Sequence, residues 1–579
     1  MQKYSIPLIA IAIFVGLVLM GLKQGAIPLG ADPFAIYQEP NKDQIQAGLQ
    51  YENKSELINS KMNFTADDNT LFLAVGDYDN DGFEDVLLVN GNSEKRDLVI
   101  LRNSAGNEFQ NVTSKVLDLP SEKFAFSAAV FVDLDNDGWQ DLYVAQFMKP
   151  NFALKNIKGK FSFHNQISID LVIAPIRGIN LFDFNKDGFV DLYLTSFSDK
   201  VYAGLFSLPG LTRSQFPIRD KSGSENILLR NLNGKRLEKT KDALGLADGG
   251  YTWASGIADF DNDGYPDVYV ANDYGFDHFY KNNHGQFFTD ISAEALGPIR
   301  SENSMGAEIG DFSNSGRLGI YVSNASKPGM PRGWNHLWQP AIADSIYLHD
   351  TSSEIGSDKC GFSWGAKFAD LDKDGNLDLF VANGRTGQVN SNNNRWLFRL
   401  YEWNLPPFLK FSKYIQIPYK NYDFAQGQRN CLFIQRAGKF VDVAQQVGIT
   451  DLENGHSLAL FDFNNDGQEE FLIGNFGHAP ILYQGIRKNE NHWLGLKLTG
   501  VNSNRDAIGA KIKLQTNDTT QTRIIFPGNG YGNSSSKRII FGIPKQIGSL
   551  TIEITWPNGH VQKFVPDKID RYYEITEQN

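Results

Sequence analysis

The sequence predicts an all-β protein: a seven-bladed β-propeller, a small β-sandwich-like C-terminal domain, and one apolar helix at the N-terminus. Three observations carry this. One acidic phrase returns seven times. Each copy lies between short apolar runs rich in β-branched and aromatic residues. No long helical periodicity separates the copies. With 579 residues, 54 of them glycine, the chain has the length for a repeat array plus a smaller partner, and the turns that many short strands require.

Composition narrows the function classes. At 41% apolar and 21% charged residues the chain is neither disordered nor collagenous. Fifty-five basic against 67 acidic side chains give a net charge of -12, the wrong sign for a nucleic-acid footprint, and no RRM or KH pattern is present, so no nucleic-acid partner is expected. Cys360 and Cys431 form no CxxC pair; they leave open either one disulfide or two thiols.

At the N-terminus, residues 4–22 (YSIPLIAIAIFVGLVLMGL) carry no charge. As a helix they would extend about 28 Å, close to the thickness of a bilayer core. Lys3 precedes the run, so the chain beyond the run is expected to be exported. Residues 1–23 are read as a signal anchor or a signal peptide, and 24–45 as a linker. The bulk is expected to be extracytoplasmic: held to the membrane by this helix if uncut, secreted or periplasmic if cleaved.

The repeat reads DYDNDGFED at 77–85, DLDNDGWQD at 133–141, DFNKDGFVD at 183–191 and DFDNDGYPD at 259–267. It returns as DFSNSGRLG at 311–319, DLDKDGNLD at 370–378 and DFNNDGQEE at 462–470. Small and apolar residues lead in (SAAVFV, ASGIA, SLALF) and β-rich runs lead out (VLLVN, LYVAQ, VYVAN), so each phrase is the loop of a strand-loop-strand unit. A second pair of strands around an Asn-Gly or Gly turn, as in NILLRNLNGKRLEKT, makes four strands per unit. Seven such units fit blades around an axis, because ring closure leaves few exposed sheet edges. The propeller is placed at 46–488, with GLQYEN at 48–53 predicted to complete the seventh blade. Residues 489–579 alternate apolar runs (WLGLKL, AKIKL, RIIF, SLTIEITW) with Gly, Asn and Pro turns, which predicts a small antiparallel sandwich.

The acidic loops suit calcium. In D-x-D-x-D-G-x-x-D the side chains at positions 1, 3 and 5 converge, position 7 offers a carbonyl, position 9 adds a last carboxylate, and glycine at 6 makes the turn. Oxygen ligands alone favour a hard cation. The candidate ligands are Asp77, Asp79, Asp81 and Asp85; Asp133, Asp135, Asp137 and Asp141; Asp183, Asn185, Asp187 and Asp191; Asp259, Asp261, Asp263 and Asp267; Asp370, Asp372, Asp374 and Asp378; and Asp462, Asn464, Asp466 and Glu470. About six Ca²⁺ are expected, whose charge would cancel the formal -12. In the fifth copy Ser313, Ser315 and Gly319 replace three acids, and that loop is expected to keep its turn without metal.

These phrases resemble the FG-GAP/VCBS repeats of integrin-type propellers over 71–485. NRDAIGAKIKL (504–514), PGNGYGNSSSKRIIFGI (527–543) and WPNGH (556–560) resemble the ASPIC/UnbV domain. The pairing is similar to that of bacterial relatives of the cartilage acidic protein family. The resemblance implies secretion, calcium-dependent structure and adhesive or scaffolding roles, and implies no reaction. Asn533-Ser534-Ser535 stands where that family's pattern leads one to expect a Ser-Gln pair.

Other motifs yield no chemistry. GFSWG at 361–365 matches a nucleophile elbow but leads into another repeat strand, so it reads as inner-strand packing. The Gly-rich run at 528–532 reads as a turn, since no helix pattern follows. An aromatic and basic insertion at 385–429 offers Trp396, Tyr401, Trp403, Phe408 and Tyr414 as a partner-binding patch, with 201–221 on the same rim. The leading expectation is an adhesion or interaction module for an extracellular protein or glycan at the cell surface. The alternative is an extracellular enzyme acting on polysaccharide or another polymer, with its pocket at the propeller centre.

Overall fold

A computed structural model describes residues 47–59, 71–90, 97–122, 124–197, 223–273, 275–297, 303–325, 334–341, 346–384, 428–516, 519–528, 531–546 and 548–578. The expected N-terminal helix and linker lie outside the described residues, as do 385–427 with Trp396, Tyr401, Trp403, Phe408 and Tyr414, and 198–222. Among the described residues no helix is long and apolar enough to cross a membrane.

Seven blades of four antiparallel strands follow one another along the chain, the second and third joined edge to edge where Ser168 and Ile169 pair in parallel with Arg236 and Leu237. Blade 1 is built from Leu71–Gly76, Asp85–Asn90, Leu98–Asn103 and Phe109–Asn111; blade 2 from Phe126–Val132, Asp141–Gln146, Phe152–Asn156 and Phe161–Ile169. Blade 3 uses Ile176–Phe182, Asp191–Ser196, Ile227–Asn231 and Arg236–Lys239; blade 4 uses Thr252–Ala258, Asp267–Asn272, His278–Asn282 and Phe288–Asp290. Blade 5 comprises Ser304–Gly310, Gly319–Asn324, His336–Pro340 and Leu348–Asp350; blade 6 comprises Ser363–Ala369, Asp378–Asn383, Cys431–Arg436 and Lys439–Asp442. Blade 7 takes Gly455–Phe461, Glu470–Asn475 and Ile481–Arg487 from the end of the array and Leu49–Asn53 from its beginning, paired Leu49 to Arg487 and Tyr51 to Gly485. The predicted clasp is therefore present.

The first strand of each blade touches the first strands of its two neighbours, the seventh meeting the first, so the ring is closed. Nearly every residue of the first and second strands is buried, because these strands are packed between blades on both faces. This explains their continuous apolar runs. Cys360 and Cys431 are joined, their Cα atoms 6.0 Å apart, tying the entry of blade 6 to its third strand across 71 residues. A loop of that length constrains the unfolded chain by about 4 kcal/mol.

The C-terminal domain has a three-stranded sheet (Ile539–Ile543, His492–Thr499, Arg571–Thr576) and a four-stranded one (Thr520–Ile524, Lys511–Gln515, Thr551–Thr555, Val561–Phe564). Their inward residues, among them Leu494, Leu496, Ile512, Leu514, Ile552 and Phe541, share one core with blades 1 to 3. One expectation is corrected here: the sandwich is not antiparallel throughout, since His492–Thr499 pairs with Arg571–Thr576 in parallel. The chain reaches its last strand from the opposite sheet, and so runs in the same direction as the first.

The segment between Thr520–Ile524 and Ile539–Ile543 enters the ring. Asn533 and Ser534 pair with Leu73 and Ala74 of blade 1, the Ser536 N–H donates to the Leu460 carbonyl of blade 7 (2.9 Å), and Gly528 lies against Ile179 and Asn180 of blade 3. Tyr531 is buried with its ring 5.9 Å from Phe72, 5.0 Å from Trp253 and 5.0 Å from Trp364. A segment that meets inner strands of five blades sits on the axis. Tyr531 thus occupies the axis at the level of these rings, where the enzymatic alternative places its pocket.

Candidate metal loops and their interdomain cover

All seven acidic phrases join the first strand of a blade to its second, so they gather at one end of the ring. Their turn comes from two adjacent conformational choices. Glycine at position 6 has positive φ in every copy, from +77° at Gly316 to +93° at Gly375. Position 4 is left-handed as well, and five copies place asparagine there, the side chain that tolerates this conformation best after glycine. The Asn at position 4 also reaches the next blade: Asn80 donates to the Gly138 carbonyl (2.9 Å), Asn136 to that of Gly188 (2.8 Å), Asn314 to that of Gly375 (3.0 Å) and Asn465 to that of Gly82 (3.1 Å).

Position 9 closes each loop from behind. The Asp141 carboxylate accepts the Leu134 N–H (3.1 Å) with one oxygen and the Asn156 N–H of the third strand (2.7 Å) with the other. Asp85, Asp191, Asp267 and Asp378 repeat the arrangement, and Glu470 accepts the Phe463 N–H (2.9 Å). At position 1, Asp133 accepts the Gly138 N–H (2.8 Å); at position 5, Asp137 accepts the Trp139 N–H (2.9 Å). In the fifth loop Asp311 accepts the N–H groups of Ser315 (2.9 Å) and Gly316 (2.7 Å), which keeps the turn with one acid.

Carboxylate oxygens come within 4.8 Å of one another in four loops: Asp77, Asp79 and Asp85; Asp133, Asp135 and Asp141; Asp259, Asp261 and Asp263; Asp370, Asp372 and Asp374. Each group could hold a metal ion. Loops 3 and 7, with Asn185 and Asn464 at position 3, bring together no such group of three acids among the described residues. Several of the oxygens are buried and accept no hydrogen bond: Oδ1 of Asp77, Asp79, Asp259, Asp370 and Asp372, and Oε1 of Glu470. Orphaned carboxylate oxygens that converge are what an oxygen-liganded cation requires.

Electrostatics agree. Burial, then neighbouring carboxylates, push Asp183 and Asp462 up to about 7, Asp259 to about 6 and Asp267 to about 8; the same causes hold Asp85, Asp191, Asp378 and Glu470 well above the usual carboxylate range. These groups resist ionising together in a dry site, and a bound cation would remove that cost.

Nothing in the sequence pattern indicates the cover over this end of the ring. The C-terminal domain lies on the loops. Lys497 Nζ is 3.5 Å from Asp77, and Arg538 donates to Asn465 Oδ1 (2.5 Å) and the Gly82 carbonyl (2.8 Å). Asp506 accepts the Asp133 N–H (2.9 Å) while paired with Lys537 (2.6 Å). Tyr572 donates to Asp462 (2.8 Å), Asn489 and Asn491 donate to the Asp372 carbonyl (2.6 and 3.0 Å), and Lys511 donates to Asn262 (2.7 Å). Interdomain crevices of about 100 and 110 Å³ border these loops, one lined by Asp183 and Asp259, the other by Asp370 and Asp462. They are far smaller than the usual few-hundred-Å³ ligand pocket.

Comparison with known proteins agrees with this anatomy. Residues 77–144, 133–194 and 259–322 match the FG-GAP-like repeat, and 500–579 match the ASPIC and UnbV family. Cartilage acidic protein 1 from Xenopus tropicalis is 23% identical over 496 residues, covering 78% of this chain and 74% of that protein; the Homo sapiens protein is 23% identical over 505 residues, covering 78% and 72%. Among solved structures, BBS1N in complex with ARL6DN aligns with a TM-score of 0.40 at 8% identity over 76% of this chain and 97% of that one. YCF48 from Cyanidioschyzon merolae aligns with a TM-score of 0.37 at 11% identity over 75% and 98%. Taken with its seven blades and the domain seated on them, the chain is a propeller that carries FG-GAP-like repeats at 77–194 and 259–322 and an ASPIC and UnbV match at 500–579, and it is similar to cartilage acidic protein 1 along most of its length.

Proposed function

We propose that the protein is an exported, calcium-loaded scaffold that binds an extracellular protein or glycan through the propeller face opposite its C-terminal domain. The observation that carries this is the division of labour between the two faces. One end of the ring is covered and its axis plugged. Connections between second and third strands, and between blades, emerge at the other end, where Phe197, Gly223, Gly384 and Gln428 flank the two long insertions. Met148, Leu171, Ile173, Phe276, Trp334 and Leu452 are exposed apolar residues of that same end. Such a cluster fits a contact surface. The oxygen-only loops with their orphaned buried carboxylates support Ca²⁺ as the ion, and the uncharged run at 4–22 supports export, as an anchor or a cleaved signal.

The test is binding of residues 46–579 to glycan arrays and to purified surface proteins, in Ca²⁺ and in chelator, beside a variant lacking 385–429. Saturable binding in Ca²⁺ that the deletion abolishes is expected. Equal binding by the deletion variant would remove the assignment of that face. Release of reducing ends from any bound polymer would instead favour the enzymatic reading.

A further inference from the structure

We propose that the basic side chain which the third strand of a blade lays against its acidic loop is a tethered counter-cation that sets how tightly that loop holds Ca²⁺. It rests on the reading that the loops take the ion. Arg102 bonds Asp79 and Asp81 (2.8 Å to the latter), Lys155 bonds Asp135 and lies 3.2 Å from Asp137, and Lys281 bonds Asp261 and lies 3.4 Å from Asp263. Arg436 bonds Asp372 and Asp374 (3.0 Å to the latter). All four engage positions 3 and 5 from the solvent side, 34% to 40% exposed, whereas at position 1 one oxygen, Oδ1, of each of Asp77, Asp259 and Asp370 stays buried and unpartnered.

The cation tracks the acid count. The four blades that supply it are the four whose loops carry an acid at each of positions 1, 3, 5 and 9. In blade 3, where Asn185 takes position 3, Arg230 is 3.9 Å from Asp187, beyond hydrogen-bond reach. Blade 7, with Asn464, has Gln484 at this register, and blade 5, whose loop keeps one acid, has Gln339. Blade 6 is the informative exception: its register position is Ile434, and Arg436, two residues on, makes the contact instead. The same contact reached from a different residue argues that the charge matters, not the strand's sequence.

A bound Ca²⁺ must displace or repel this cation, so removing it tightens the ion and leaves the ion-free loop with uncompensated carboxylates. In the full-length protein, Lys155→Met with Lys281→Met should tighten two of the six sites about tenfold each, the scale of one unit charge acting on a divalent ion about 6 Å away at the dielectric of water. The probe is Ca²⁺ alone, titrated by calorimetry into chelator-stripped protein. Melting temperature should fall in chelator and hold at saturating Ca²⁺, and Lys155→Arg should behave as the parent. Adding Arg102→Met and Arg436→Met should extend the effect to four sites. A fall in melting temperature of equal size in both conditions, or unchanged isotherms in variants of a parent that binds Ca²⁺, would overturn the proposal. A parent that takes up no Ca²⁺ would instead overturn the reading on which it rests.

Discussion

His456 is fully buried, its ring stacked 4.0 Å from Trp364, and neither ring nitrogen has a hydrogen-bond partner. Burial alone pulls its pKa down to about 3. A folded-state value below the unfolded one of about 6.5 means that the neutral ring stabilises the fold above pH 6.5, and that this contribution is lost as pH falls toward 3. His456→Phe should therefore leave stability near neutrality little changed and raise it at pH 4.5 by up to about 2.7 kcal/mol, as measured by urea unfolding at the two pH values. The glycine of the N-x-x-G turns is a second residue-scale constraint. At Gly234, with φ +71°, a Cβ would stand 2.6 Å from the Asp135 Cα of the preceding blade's loop, and Gly285 is placed likewise against Asn185. Gly234→Ala should cost about 2–4 kcal/mol in urea unfolding through clash and left-handed strain, and should also loosen Ca²⁺ at the second loop. The D-x-D-x-D-G phrase was legible in sequence, whereas this buttress was not, because N-x-x-G reads as an ordinary turn until the neighbouring blade is placed against it.

At the scale of elements, each strand of a blade was legible from its apolar run and flanking turns. Short helical turns after outer strands, such as Ser292–Ala295 and Ser352–Ile355, carry too few residues to show a period. The clasp of blade 7 was legible because GLQYEN imitates other outer strands. Tyr51 of that strand is buried and its ring lies 5.2 Å from Phe471. A chain beginning at residue 54 would leave Ile481–Arg487 as an unpaired edge, and is expected to appear in the aggregate or void fraction on size exclusion while the chain from residue 46 elutes as a compact species. The parallel pairing of His492–Thr499 with Arg571–Thr576 could not be read, since strand periodicity fixes which face is buried and says nothing of direction.

For the whole molecule, ring and C-terminal domain form a single compact unit from Gln46 to Asn579. Tyr531 links them: it comes from the second domain and ends among Phe72, Trp253 and Trp364 of the first. Tyr531→Ala should lower stability by about 3–5 kcal/mol, with a change in tryptophan fluorescence in the native state, because a large aromatic volume is removed from a packed site that cannot collapse. Blade number and order, the loops that carry the acids and the strand that closes the ring were readable from the chain alone. These follow from local periodicity and spacing. The cover over the acidic end, the burial of Tyr531 on the axis and the cations of other strands that face the carboxylates emerge only in three dimensions. Many of those contacts join residues hundreds of positions apart, where no local pattern in the chain constrains which surfaces meet.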